Sequence, residues 1–246
     1  MMRKIHCRWL SNDPWLTEAL GKPSYRLTLD DVNDFDDWYP PAKNLELGNC
    51  LIYAKVPTDS IRSIHWLEGQ DFRLVDTGIT LQREVLNQGQ RLLTTKGFCV
   101  RFAMPADKAG VIAIARRVFS QSRFHLDPKI SNSTANKIKA DWAGNFFKGK
   151  RGDHMIVVEC ERNIVGFLQL LHQGDALVID LIATDDSVRG QGIGRAMVAY
   201  AEESISDVAQ VVLGTQLANQ GALNFYHSLD FRMQQSVHVF HRHITE

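Results

Sequence analysis

Three glycines occupy alternate positions in "VRGQGIG", residues 188 to 194, behind Arg189 and directly ahead of an amphipathic helical pattern. Glycine has no Cβ, so neighbouring backbone N–H groups can close on an anion. The N-terminus of a helix adds a dipole that favours negative charge. The chemistry on offer is the holding of a phosphate or pyrophosphate, set against a plain helix cap with no ligand. Two common cradles fail. A dinucleotide fingerprint needs G-x-G-x-x-G after the first strand of a βαβ unit, and a phosphate loop needs G-x-x-x-x-G-K-[ST]. Here the spacing is G-x-G-x-G, and no lysine follows. Other reactive side chains are dispersed. Cys7, Cys50, Cys99 and Cys160 form no CxxC pair, which argues against zinc. His238, His241 and His243 fall in the last apolar run, where metal binding is possible in principle; the expectation is strand-face or interface residues and no metal.

The elements that must hold the glycines follow from the hydrophobic pattern. "HMIVVECE" and "NIVGFLQLLH" flank Arg162-Asn163, a hairpin signal. "QGD" makes a second turn, and "ALVIDLIAT" completes a meander that runs into the glycines. Ile193, Met197, Tyr200 and Ala201 mark the buried face of the helix behind them. "QVVLGT" is a further strand, "NQGALNFYHSL" a helix, and "FRMQQSVHVFHRHI" a closing strand or hairpin. Upstream, "FCVRFAM" is a strand, and Pro105 opens a helix with Val111, Ile112, Ala115, Val118 and Phe119 on one face. "SQSRFHLDPKIS" breaks the pattern, and "STANKIKADWAGNFFKG" resumes a helix. Further back, "NCLIYAKV", "PTDSIRSIHWLEGQ" and "DFRLVDTGITLQREV" read as strand, helix and strand. In that helix, Asp59 or Ser60 caps and Ile61, Ile64 and Leu67 face inward. The acidic "LTLDDVNDFDDWYPPAKN" is a loop, and residues 86 to 97 are a linker.

The 246 residues suit two small domains. Charge is balanced, with 28 basic and 28 acidic side chains, which argues against nucleic acid as a partner. No stretch has the length of a membrane span, and the basic start lacks a signal-peptide core. Scattered thiols suit a reducing compartment. A soluble cytoplasmic protein is the expectation.

The glycine stretch and its surroundings resemble the GNAT family of acyl-CoA-dependent N-acyltransferases. "VRGQGIG" fits the family's R-x-x-G-x-G. "VIDLIAT" is similar to its fourth strand. "QLANQGALNFYHSLDF", residues 216 to 231, resembles its N-x-x-A-x-x-F-Y-x-x-x-G-F element, with Asp230 in place of the usual glycine. The resemblance implies an α/β (α+β) fold with a mixed, largely antiparallel sheet flanked by helices. The catalytic domain would span residues 98–246, with a smaller N-terminal α/β domain over residues 1–90. It implies acetyl-CoA as acyl donor. Arg189, Gly190, Gln191, Gly192, Ile193, Gly194 and Arg195 would hold its pyrophosphate. Leu181, Ile182, Ala183 and Thr184 would pair with the pantetheine, and Asn219 and Phe225 would contact the remainder. Gly192 and Gly194 are the glycines least tolerant of a side chain. Tyr226 would protonate the leaving thiolate as general acid, the alternative being a packed core tyrosine.

The acceptor rests on looser matches. "SRFHLD" and residues 54 to 81 resemble the TDP-fucosamine acetyltransferase type, which acetylates nucleotide-linked 4-amino-4,6-dideoxy sugars. That implies a nucleotide-linked amino sugar substrate, with Arg123 and His125 on its phosphates. Asp76 is one candidate base and Asp180 another. Three other readings stay open: acetylation of a protein amine, acetylation of a small-molecule amine, and a non-catalytic acyl-CoA-binding module. A homodimer through the last strand is also open, since a terminal strand offers an unpaired edge.

Overall fold

The computed structural model describes residues 10–29, 48–85 and 97–245. The N-terminal nine residues with Cys7, most of the acidic loop around Pro40-Pro41, and the linker up to residue 96 lie outside them. In chain order the elements are β1 (Leu10–Asn12), α1 (Pro14–Leu20), β2 (Ser24–Leu27), β3 (Cys50–Pro57), α2 (Ile61–Gly69), β4 (Arg73–Glu84), β5 (Cys99–Phe102), α3 (Lys108–Val118), α4 (Asn132–Gly144), β6 (His154–Cys160), β7 (Asn163–Gln173), β8 (Ala176–Thr184), α5 (Ile193–Ser204), β9 (Gln210–Gln216), α6 (Gln220–His227) and β10 (Arg232–Ile244). The strands form one sheet in the order β1-β2-β3-β10-β4-β9-β8-β7-β6-β5. Only β2/β3 and β8/β9 run parallel among the described residues. The fold is the mixed, largely antiparallel α/β arrangement expected.

β10 decides how the two halves of the chain meet. It is a single strand of 13 residues rather than a hairpin. It lies between β3 and β4, pairing Val237–Ile244 with Cys50–Pro57 on one side and Arg232–His241 with Arg73–Gln82 on the other. The boundary expected between residues 1–90 and 98–246 therefore crosses a continuous hydrogen-bonded sheet. Phe240 shares a core cluster with Ile52, Ala54, Leu67 and Phe72.

β8 carries the local irregularity that matters most. Its burial alternates without a break through Leu177, Ile179, Leu181 and Ala183. Yet Leu177 and Ile179 pack with α5 residues such as Met197, whereas Leu181 and Ala183 pack with Val111, Ile114 and Ala143 of α3 and α4. The cause is a bulge: Leu170 pairs with Ile179 but Gln169 with Leu181, leaving Asp180 as the extra residue. One inserted residue turns the rest of the strand over. The parallel ladder with β9 ends at the same place, at Ile179 and Leu213.

Several local expectations change. The first hairpin turns on Glu161 and Arg162, both at positive φ, because Cys160 pairs with Asn163. Ile61 is 55% exposed, so the inward face of α2 is set by Ser63 and Leu67. Cys160, in an apolar run expected to bury it, is half-buried; among the described cysteines Cys50 is the buried one. Asp207 has φ 61°, and two further aspartates take left-handed backbone just after a helix, Asp71 at φ 62° and Asp230 at φ 64°. Each of the latter two is followed by a buried phenylalanine, Phe72 or Phe231. Short polar side chains tolerate that conformation better than most.

If the halves depend on one sheet, Phe240→Ala should lower stability by about 3–5 kcal/mol. Urea unfolding followed by far-UV circular dichroism and tryptophan fluorescence should show one coincident transition. Two separate transitions would reject that dependence.

Candidate active site

Where β8 leaves β9, a pocket of about 740 Å³ opens. One wall is the β8 segment Asp180–Thr184, whose β9-facing edge has no strand beside it beyond Ile179. The opposite wall is Gly214–Gln216 of β9 with Asn219, Phe225 and Tyr226 of the α6 region. The glycine loop closes one end, and Phe119–Ser122 with Lys139 of α4 complete the lining.

The glycines divide into two kinds. Gly190 and Gly192 have φ of 76° and 77°, and an added Cβ would meet nothing within 4 Å. They are needed for left-handed backbone that leaves the main chain open to a ligand. Gly192 also caps α5, so free N–H groups of the first turn lie at the pocket mouth. Gly194 is different: its Cβ would stand 2.9 Å from Phe225 Cζ. It lets the ring of Phe225 approach α5 and has no special backbone angle. The expectation that a side chain is least tolerated at Gly192 and Gly194 thus has two separate physical causes. The loop geometry is compatible with a pyrophosphate, since an open backbone cradle at a helix N-terminus favours negative charge.

The pocket wall gathers Leu181, Ile182, Ala183, Thr184, Arg189, Gly190, Gly192, Ile193, Gly194, Arg195, Asn219, Phe225 and Tyr226. Gln191 is exposed and lies off that wall. Arg189 is held by Asp186 at 2.6 Å. Arg195 donates to the Ser228 carbonyl at 2.8 Å and so closes the end of α6. The Asn219 side chain accepts from the Ala222 N–H, which makes it the N-cap of α6. Tyr226 is 4% exposed, and burial pushes its phenol well above the usual range. Its edge contact with Phe231, at 5.5 Å between centroids, fixes the ring.

The residues expected on the acceptor lie elsewhere. Asp76, Arg123 and His125 are off the pocket wall. His125 uses both ring nitrogens locally, on Ser122 Oγ at 2.7 Å and Asn136 Oδ1 at 2.9 Å. Arg123 turns inward, its guanidinium 4.2 Å above the Tyr53 ring and 3.3 Å from His241 Nε2. Both side chains are committed to holding the 119–131 segment, which leaves them poorly disposed toward a phosphate. Asp76 is 7% exposed with Oδ1 buried and unpaired among the described residues. Burial raises its pKa to about 6, against the opposing pull of Arg123, Lys55 and Lys139.

Asp180 is bound on all sides. Its Oδ2 accepts from Trp142 Nε1, Arg151 Nε and Gln169 Nε2, each at 2.8 Å, and Oδ1 accepts from Arg151 at 2.5 Å. Asp180 serves as a structural anchor at the bulge.

The histidine run has a specific partner that the sequence did not show. His241 Nδ1 and His243 Nε2 meet Asp127 Oδ2 at 2.6 and 2.7 Å. Their other nitrogens face donors: His241 Nε2 faces Arg123, and His243 Nδ1 faces Lys22 Nζ at 3.1 Å. Guanidinium and ammonium only donate. Both outer nitrogens are therefore acceptors, and the inner ones carry the protons that Asp127 accepts. The three groups lie close enough for a metal. Burial holds His241 neutral, its pKa lowered to about 4, while the two histidines hold Asp127 far below the usual carboxylate range.

Lys139 was missed. It is 9% exposed, lines the pocket and sits over Phe119 and Trp142. Burial lowers its pKa to about 8. The available signal was a lysine in register with Ala135 and Trp142, on an otherwise apolar helical face.

Residues 151–233 match the family described as the acetyltransferase (GNAT) domain. The spore coat polysaccharide biosynthesis protein SpsD of Bacillus subtilis (strain 168) is 30% identical over 139 residues, or 56% of this chain and 48% of that protein. The chain thus spans about half the length of that curated relative. A GCN5-related N-acetyltransferase from Sphaerobacter thermophilus superposes with a TM-score of 0.63 at 12% identity, covering 96% of this chain and 76% of its own. A conserved protein of unknown function from Staphylococcus epidermidis gives 0.64 at 11% identity, covering 98% and 93%. The likeness to these two structures is one of fold. No helix among the described residues is long and apolar enough to cross a membrane.

Replacing the loop glycine tests the cradle. Gly192→Trp should abolish acetyl-CoA binding measured by calorimetry, with the far-UV spectrum unchanged. Normal affinity in a folded variant removes the loop from the donor site.

Proposed function

For a chain that carries a GNAT acetyltransferase domain, we propose transfer of an acetyl group from acetyl-CoA to the amine of a nucleotide-linked 4-amino-4,6-dideoxy sugar. The observation that carries this reading is the continuous cleft at the β8–β9 divergence. It joins an open glycine cradle to a buried phenol and a polar wall. The sugar class draws on the polysaccharide-biosynthesis relative and on the resemblance around "SRFHLD".

Bound acetyl-CoA supplies the acyl group as a thioester. The chain's own residues bind it, orient it and move protons. The Gly190 and Gly192 backbone with the first turn of α5 holds the pyrophosphate. The free edge of β8 presents N–H groups along the pantetheine and, near the Asp180 bulge, toward the carbonyl oxygen as charge develops there. Tyr226 keeps its proton at neutral pH and gives it to the departing thiolate. Asp76 lies off the pocket wall and takes the proton released by the acceptor amine through intervening water; its carboxylate has an unpaired oxygen and a pKa of about 6. No cysteine lines the pocket, which favours direct transfer over an acyl-enzyme. Holding both substrates in one cleft supplies much of the acceleration.

The test is an acetyl-CoA consumption assay across nucleotide-linked amino sugars, polyamines and peptides. Turnover on a nucleotide-linked amino sugar is expected. Turnover only on peptides or polyamines would replace the acceptor class, and none at all with acetyl-CoA bound would favour a binding module. With the preferred acceptor, kcat/KM should fall about tenfold per pH unit below about 6, as Asp76 gains its proton. Asp76→Asn should abolish that limb, and an unchanged profile would assign the base elsewhere. Tyr226→Phe should lower kcat about 10²-fold or more with acetyl-CoA affinity nearly intact; unaltered turnover would make it a packing residue.

A further inference from the structure

Four charged residues line the pocket: Lys139, Asp180, Arg189 and Arg195. Three have partners. Asp180 is bound by Arg151, Arg189 by Asp186, and Arg195 by the Ser228 carbonyl. Lys139 has no hydrogen bond or ion pair at its ammonium among the described residues, although it is only 9% exposed. The Phe119 and Trp142 rings lie 4.9 and 4.8 Å from Nζ. Aromatic faces stabilise the cationic form but do not replace a hydrogen-bonding anion. A buried charge without a paired anion is costly.

The position of Lys139 matters as much as its lack of a partner. Lys139 lies one helical turn before Trp142 and rests on its ring, and Trp142 donates to Asp180 at 2.8 Å. That is the bulge end of β8. The glycine cradle lies beyond Thr184, four strand residues on, or about 13 Å. An anion at Lys139 is therefore separate from the one at the cradle. Asp76, Arg123, Arg151 and Asp180 also act on the ammonium electrostatically. Of the two acids, Asp180 is already satisfied by its donors, and neither is within ion-pair reach of Nζ.

We propose that Lys139 is an anion-binding residue of the acceptor site, pairing with a phosphate or carboxylate group of the molecule whose amine is acetylated. The proposal rests on the reading of this cleft as an acetyltransferase site. It assigns to Lys139 the part that Arg123 and His125 cannot take, since their polar atoms already hold the 119–131 segment. The anion has two chemical sources: the diphosphate of a nucleotide-linked sugar, or a carboxylate such as that of a uronic acid. A base role fits less well, because the two rings favour the ammonium over the neutral amine.

The test uses the full chain and two simple anions, inorganic pyrophosphate and glucuronate, titrated by calorimetry with and without saturating coenzyme A. With coenzyme A present, one of them should bind the wild-type protein. Its affinity should drop about tenfold or more in Lys139→Met, as expected for loss of a charge-assisted hydrogen bond. Lys139→Arg should recover most of it, which a purely structural lysine would not require. Pyrophosphate as the bound anion would point to a nucleotide-linked acceptor, and glucuronate to a carboxylate-bearing one. Binding of neither anion, or an affinity unchanged in Lys139→Met, overturns the proposal; if that variant does not fold, Lys139→Gln takes its place. Failure of coenzyme A to bind, with Lys139-dependent anion binding intact, would instead count against the acetyl-transfer reading.

Discussion

The Asp180 carboxylate holds the site together. Its four hydrogen bonds tie α4 through Trp142, β7 through Gln169, and the chain before β6 through Arg151 to one point on β8. That point is the bulge at which β8 turns over and β9 leaves it. A bulge bends its strand and interrupts the ladder, so the cleft exists because the sheet is broken there. The bonds of a charged acceptor offset the cost of an irregular, buried strand. Both core layers also depend on it, since Ile179 must face α5 while Leu181 must face α3.

A second consequence is electrostatic. The face of the sheet beneath α4 buries Asp76, Lys139, Arg123, Asp127 and His241, most of them within a tenth of full burial. Most are paired in a directed chain, from Lys22 through His243 to Asp127, and from Arg123 through His241 to the same carboxylate oxygen. The chain locks the segment that follows α3 onto β10, so that Phe119–Ser122 stand at the pocket wall. Asp76 and Lys139 are the exceptions, with polar atoms that no protein group satisfies. Groups left unpaired in a low-dielectric setting are where function concentrates; Lys139 lines the pocket, and Asp76 lies off its wall.

The position of β10 makes the surroundings of Arg123 and Asp127 a joint product of both ends of the chain. Asp127 lies between the two catalytic-side helices, His241 and His243 near the C-terminus, and Tyr53 on β3. They meet only because the last strand inserts between β3 and β4. A linear division into an N-terminal unit and a catalytic unit misses this, since strand insertion leaves no mark in local composition.

The sequence by itself determined the local geometry of the glycine loop and of the short helix that carries Tyr226. Gly190 and Gly192 need left-handed backbone, Tyr226 and Asn219 keep a fixed spacing along one short helix, and the meander ahead of them alternates visibly. All are short-range constraints, and short-range constraints are written in spacing. Tertiary structure decided the rest. Unbroken alternation along β8 conceals the turnover at Asp180, because a bulge changes pairing without changing the pattern of apolar residues. Arg123 and His125 have the chemistry of phosphate ligands, yet their orientation depends on Tyr53, His241 and Asn136, which are distant in sequence or across a loop. That the Lys139 ammonium meets no paired anion among the described residues is likewise visible only in the folded chain. Whether a charge is satisfied is a property of its neighbours in space, and no single stretch of chain contains them.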